Sequence, residues 1–152
     1  MKRTYVFLVA AAAATAASAA TIASAQSNRP AAHSSRAATV QLRHTSLGSI
    51  LVSGSGRTLY EFTRDHGNKN SCAAIGGCSA VWPSLKASGH PTAGSGVKAS
   101  LLSTTSGNQV TYAGHPLYTY SGDNGPGKTS YVGARSFGGM WYAINASGGT
   151  VK

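Results

Sequence analysis

The sequence predicts an all-β fold: a small single domain of about six strands, built from two repeated hairpin units and low in helix content. The pattern Gly-x-x-Leu-Tyr-x-aromatic-x-x-Asp occurs at residues 56–65 and again at residues 114–123, and such self-similarity indicates one supersecondary unit used twice. Apolar and polar residues alternate near both copies, and no window shows a sustained helical period with caps. We expect a sandwich, with a small barrel as the alternative.

The N-terminus has the order of a secretory signal peptide over residues 1–25. Lys2 and Arg3 precede a short apolar run, and Ala23-Ser24-Ala25 forms an A-x-A cleavage site. The run is shorter than the roughly 20 apolar residues of a membrane-spanning helix. We therefore expect cleavage near Ala25, no transmembrane segment, and a secreted, periplasmic or cell-envelope protein.

The mature chain divides into a flexible arm and one domain. Residues 26–44 contain Pro30, several alanines and serines and no aromatic residue, which is typical of a flexible segment. The β domain is expected over residues 45–152, with repeat units at about 46–85 and 97–145.

Each repeat centres on one hairpin. Glycine and serine at residues 53–56 separate the strands of the first hairpin, and residues 113–116 separate those of the second. A short helical turn is expected between residues 70 and 85, before Pro83 ends it. The expected strands are residues 46–52, 58–62, 97–105, 109–112, 117–120 and 140–144.

The motif residues are Tyr60, Phe62, Asp65, Tyr118, Tyr120 and Asp123. Each aspartate follows its tyrosine by five positions and precedes x-Gly, so we expect a turn in which the carboxylate accepts a bond from the backbone two residues on. The alternative is that pseudo-symmetry pairs Asp65 with Asp123 in a proton or cation site. With Glu61 as the only other acid, we expect no dedicated calcium site.

The two cysteines, Cys72 and Cys78, predict a disulfide that closes a short loop in an exported chain. Their spacing is not the C-x-x-C of redox pairs. Metal ligation with His66 or His90 is the open alternative.

Aromatic residues are frequent among the predicted strands. They are expected to form the core, because the chain contains few Phe, Leu and Ile residues. If they are exposed, the candidate binding face consists of Tyr112, Tyr118, Tyr120 and Trp141, since alternating tyrosines can stack on sugars or bases.

No catalytic set is evident. The sequence has neither a G-x-S-x-G elbow nor H-E-x-x-H, and three acids are too few for a convincing glycosidase pair. His44, His66 and His115 are possible bases without a marked nucleophile. We predict no catalytic residues, no cofactor and no dedicated metal site.

The motif copies, the two cysteines, Trp82-Pro83 and Trp141 resemble a bacterial extracytoplasmic family of secreted repeats or predicted lipoproteins with a Tyr-x4-Asp motif. The resemblance extends from about Leu47 to Tyr142 and implies export without implying an activity. Lipoproteins need a cysteine at the cleavage site. Neither cysteine of this chain lies there, so we expect no lipid anchor.

The charge balance favours an anionic partner. The chain carries 13 Lys and Arg against three acids, a net charge of +10 that falls to +8 without Lys2 and Arg3. We predict a non-enzymatic exported module that binds an anionic envelope polymer or a protein through a basic or aromatic surface, with no specific nucleic acid. The alternative is a small-ligand, metal or redox site at the pseudo-symmetric interface around the motif aspartates.

Overall fold

The computed structural model describes residues 37–152, and the predicted signal peptide lies outside them. Over this range the chain forms ten short strands: β1 (Thr39–Thr45), β2 (Gly48–Ser53), β3 (Tyr60–Phe62), β4 (Thr92–Ala93), β5 (Leu102–Thr104), β6 (Val110–Tyr112), β7 (His115–Pro116), β8 (Ala134–Ser136), β9 (Gly139–Ile144) and β10 (Thr150–Val151). The helical pieces are one short α-helix, α1 (Cys78–Val81), and two 3-10 turns (Cys72–Ala74 and Ala99–Leu101). The all-β prediction with low helix content is confirmed.

The strands form three small sheets. Their orders are β2-β1-β4, β10-β9-β3 with β8 also on β9, and β5-β6-β7. Pairing is antiparallel except between β1 and β4. No sheet closes into a barrel within residues 37–152. The small barrel that was the alternative to a sandwich is therefore not formed in this part of the chain.

Several predicted boundaries need correction. The strand expected at 117–120 is not formed: β7 occupies residues 115–116, within the predicted turn, and only Tyr118 of residues 117–120 is in a bridge. The arm predicted for residues 26–44 does not reach its predicted end, because residues 39–44 belong to β1, where Val40 is fully buried and pairs with Ser53. The alternation of Val40 and Leu42 with polar neighbours was the strand signal. The strand expected at 97–105 is confined to Leu102–Thr104, since a 3-10 turn occupies the residues before it.

The two repeats meet at the motif tyrosines. The Tyr60 N–H donates to the Tyr118 carbonyl at 2.9 Å, and the Tyr118 N–H donates to the Tyr60 carbonyl at 3.0 Å. Tyr60 also pairs with Ala143 near the end of the second repeat, while Tyr118 bridges Ser84 near the end of the first. Each motif segment therefore completes its ladder with the closing segment of the other repeat.

Four aromatic rings stack at the centre of this exchange. Trp82 lies parallel to Trp141 with ring centroids 3.7 Å apart, Phe62 stacks on the outer face of Trp141 at 4.1 Å, and Tyr120 lies against Trp82 at 4.8 Å. Both tryptophans are fully buried. The stack alternates between repeats, so its burial stabilises the association of the two halves.

Replacing Trp82 with alanine should cost about 3–5 kcal/mol in free energy of unfolding, because it empties the centre of the stack. The matched control is Tyr142→Ala, at a half-buried ring outside the stack. Urea unfolding followed by circular dichroism measures both. Similar losses for the two variants would contradict a central role for the stack.

Candidate functional site

Both motif aspartates lie just after a tight turn, as predicted. The Asp65 N–H donates to the Phe62 carbonyl at 2.9 Å, and the Asp123 N–H donates to the Tyr120 carbonyl at 3.2 Å. Each carboxylate then caps the following loop. Oδ1 of Asp65 accepts from the Ser71 amide at 2.7 Å, and Oδ1 of Asp123 accepts from the Ser130 amide at 3.3 Å. The partners lie six and seven residues on instead of the predicted two, because the carboxylates bridge a longer loop.

The second oxygen of each carboxylate is bound by the tyrosine of the other repeat. The Tyr60 hydroxyl donates to Asp123 Oδ2 at 2.7 Å, and the Tyr118 hydroxyl donates to Asp65 Oδ2 at 2.8 Å. We call these two bonds the exchanged latch. All four aspartate oxygens thus hold a protein donor, and within residues 37–152 no hydrogen bond joins the two carboxylates. These contacts favour a structural role for the motif over a paired proton or cation site.

Burial changes the pKa values of residues that form the exchanged latch. Burial and the neighbouring aspartates raise the pKa of Tyr60 and of Tyr118, which keeps both phenols protonated as donors. Burial also raises the pKa of Asp65, although bonds from Ser71 and Tyr118 oppose that change. Asp123 is almost completely buried.

Glu61 and His115 form an ion pair beside the latch. His115 Nδ1 lies 2.7 Å from Glu61 Oε2, and the Thr150 hydroxyl donates to Oε1 at 2.5 Å. Burial opposes the charge of Glu61, but the bonds from His115 and Thr150 outweigh it and lower the pKa of the carboxyl. The bond to Glu61 raises the pKa of His115 against its partial burial.

The predicted aromatic binding face is not exposed. Tyr112, Tyr118 and Trp141 are fully buried, and Tyr120 is half-buried against Trp82. Leu47 is the one exposed large hydrophobic residue in the described part of the chain. The rings form the core, as expected for a chain with few large aliphatic residues to fill it.

The predicted disulfide between Cys72 and Cys78 is confirmed. Its sulfurs lie in the same buried cluster as Trp82 and Trp141. Because the two thiols are bonded to each other, they are not available to ligate a metal with His66 or His90. Between residues 37 and 152 no group of three or more His, Cys, Asp and Glu is arranged to hold a metal ion.

The surface charge of the described domain is positive because each of the three acidic residues binds a partner within the fold. Glu61 and Asp123 are buried, and Asp65 is half-buried in the latch. Thirteen Lys and Arg are present, four of them before residue 37, so nine lie in the described range. Over that range the ion pair of His115 and Glu61 is the sole salt bridge, and no Lys or Arg is paired with a carboxylate.

The fold and this site define a class: an all-β module of two intertwined repeats, held together by a repeated tyrosine–aspartate motif. A family described as a secreted repeat of unknown function matches at residues 42–86 and 100–145, together more than half of the chain. The chain belongs to this family, in agreement with the predicted resemblance. No curated protein and no solved structure matches.

Family membership and the disulfide together indicate an extracytoplasmic location. No helix in the described residues is long and apolar enough to cross a membrane.

Two groups of residues escaped the sequence analysis. One is the ion pair of Glu61 and His115 with Thr150, whose members are up to 89 positions apart. The other is a cavity flanked by Lys69 and Lys86. The sequence contained one signal for the ion pair. Glu61, the only glutamate of the chain, lies within a motif strand, and a carboxylate buried there needs a partner.

Removing one latch hydroxyl should destabilise the fold. Tyr60→Phe leaves the buried Asp123 short of a donor, with an expected loss of about 1–3 kcal/mol in free energy of unfolding. Tyr118→Phe should cost less, because Asp65 is only half-buried. Tyr142→Phe is the control, since its hydroxyl makes no hydrogen bond within residues 37–152. Chemical denaturation gives the ranking, and equal stability of all three variants would refute the latch.

The ion pair predicts a specific pH dependence. Because the folded-state pKa of His115 is raised, its stabilisation is complete below about pH 6.5, the ordinary histidine pKa, and is lost as pH rises through the folded value. The stabilisation by Glu61, whose pKa is lowered, is lost only at acidic pH.

The free energy of unfolding of the native protein should therefore exceed that of His115→Gln most clearly near pH 6, and the gap should narrow toward pH 9. Urea titrations across this range measure it, with His44→Gln as a matched exposed control. A gap independent of pH would rule out the ion pair as its source.

Proposed function

We propose that the protein is an exported, non-enzymatic module that binds a polyanionic polymer of the cell envelope or its surroundings through its positive surface. The observation that carries the proposal is the internal use of all three carboxylates. Nine Lys and Arg of the described domain therefore have no carboxylate partner. A field of one sign attracts polyanions and raises their association rate.

The same surface argues against recognition by stacking. No aromatic side chain of the described residues is exposed, so neither sugar rings nor bases have a platform of the kind that single-strand nucleic-acid binders use. Binding by charge and hydrogen bonds is the mode that this surface supports. An anionic polymer bound through its charges and hydroxyls fits this surface, whereas a single-stranded nucleic acid held by base stacking does not.

A site at the two motif aspartates is the weaker alternative. A small ligand or a cation there would have to compete with the tyrosine and backbone donors that hold all four oxygens. Leaving those donors buried without an acceptor carries its own free-energy cost.

The test is salt-dependent binding of the mature, disulfide-intact protein to polygalacturonate, with uncharged dextran as the matched polymer. We expect binding to polygalacturonate at low salt that weakens steadily as salt rises, and none to dextran. Absence of binding to the polyanion even at low salt would overturn the proposal, as would equal binding to dextran.

A further inference from the structure

The two repeats differ sharply at one buried corner. Val52 faces Thr58 across the first hairpin, and Thr111 faces Pro116 across the second. Thr58 and Pro116 occupy the same motif position, so Val52 and Thr111 correspond. Two residues earlier on the same strand faces lie Ile50 and Gln109.

The closing segments show the same contrast. Tyr60 pairs with Ala143, whereas Tyr118 bridges Ser84, so these two partners correspond. In one half, Ile50, Val52 and Ala143 form a buried apolar cluster. In the other half, the corresponding residues are Gln109, Thr111 and Ser84. The corner is therefore apolar in one half and polar in the other.

This polar corner is costly to bury. Gln109 and Thr111 are almost completely buried, and the Thr111 hydroxyl has no hydrogen-bond partner in the described part of the chain. Asn70 organises the rest: its amide donates to Gln109 Oε1 at 2.6 Å and to Ser84 Oγ at 3.0 Å. The other half forms the corresponding corner from apolar residues alone.

A cavity of about 330 Å³ adjoins this corner at Asn70 and Gln109. Its walls include Asn68, Lys69, Asn70, Lys86, Ser106 and Gln109. The Lys86 ammonium donates to the Gly107 carbonyl at 2.8 Å, which fixes one positive charge at the rim. The volume is at the small end of ligand pockets, roughly 300–1,000 Å³, and suits a single unit of a polymer.

We propose that this cavity is a subsite for one acidic, hydroxylated unit of an anionic glycan, such as a sugar or polyol that carries a carboxylate or a phosphate. Lys69 and Lys86 meet the anionic group, while the asparagine and serine side chains bind hydroxyls. The inference rests on the proposed polyanion binding. It specifies where on the domain the polymer binds and which kind of polymer unit is recognised.

The experiment is amide NMR of the mature protein, titrated at moderate salt with short oligogalacturonate or short poly(glycerol phosphate). Maltotetraose is the uncharged control and oligothymidylate the nucleic-acid control. The side-chain amide signals of Asn70 and Gln109 should shift with an acidic glycan probe and stay in place with maltotetraose. The two acidic probes distinguish a carboxylate unit from a phosphate unit.

Affinity measurements on matched variants complete the test. Lys69→Gln with Lys86→Gln should weaken binding about tenfold, equivalent to about 1.4 kcal/mol. Lys98→Gln with Lys152→Gln removes the same charge from exposed positions outside the cavity and should weaken binding much less. All four lysines are exposed, so both variants should fold.

Equal weakening by both double variants, with the Asn70 and Gln109 signals unmoved, would overturn the subsite and leave general polyanion binding standing. Oligothymidylate that shifts these signals more strongly than either acidic glycan would overturn the ligand class. No binding of any anionic probe at low salt would overturn both the subsite and the proposed function.

Discussion

The exchanged hydrogen bonds between the tyrosine of one repeat and the aspartate of the other are the constraint on which the rest of the structure depends. They hold each motif strand against the closing segment of the partner repeat, which brings Trp82 and Trp141 into one parallel stack. A single repeat would leave its tryptophan without the parallel ring on which it stacks, its tyrosine hydroxyl without an acceptor and the second oxygen of its aspartate without a donor. The duplication is therefore a folding requirement, since each half supplies what the other buries.

This constraint also shapes the surface. Two of the three acids serve the latch and the third binds His115, so the domain has no carboxylate left to balance its lysines and arginines. In this chain the carboxylates serve as acceptors inside the fold, and the surface is therefore left with a positive charge. The lysine-flanked cavity is a local example. Gln109, which lines it, corresponds to an apolar residue in the other repeat.

The sequence predicted those features that depend on local patterns. Strand alternation gave the all-β class and the last strand at 140–144, and the spacing of Cys72 and Cys78 gave the disulfide. The turn before each aspartate also followed from the motif. The sequence could not predict contacts between distant positions: Tyr60 with Asp123, or Glu61 with His115. The small number of aliphatic residues favoured a core role for the aromatic residues, but only tertiary packing shows that Tyr112 and Trp141 are fully buried.

The most direct measurement replaces both motif aspartates with asparagine and follows unfolding and polygalacturonate binding in the same protein. An amide group offers one acceptor oxygen for two donors, so the account predicts a large loss in free energy of unfolding. It also predicts undiminished polymer affinity under conditions where the variant is folded. Unchanged stability with lost binding would contradict the account and make the motif itself the binding site.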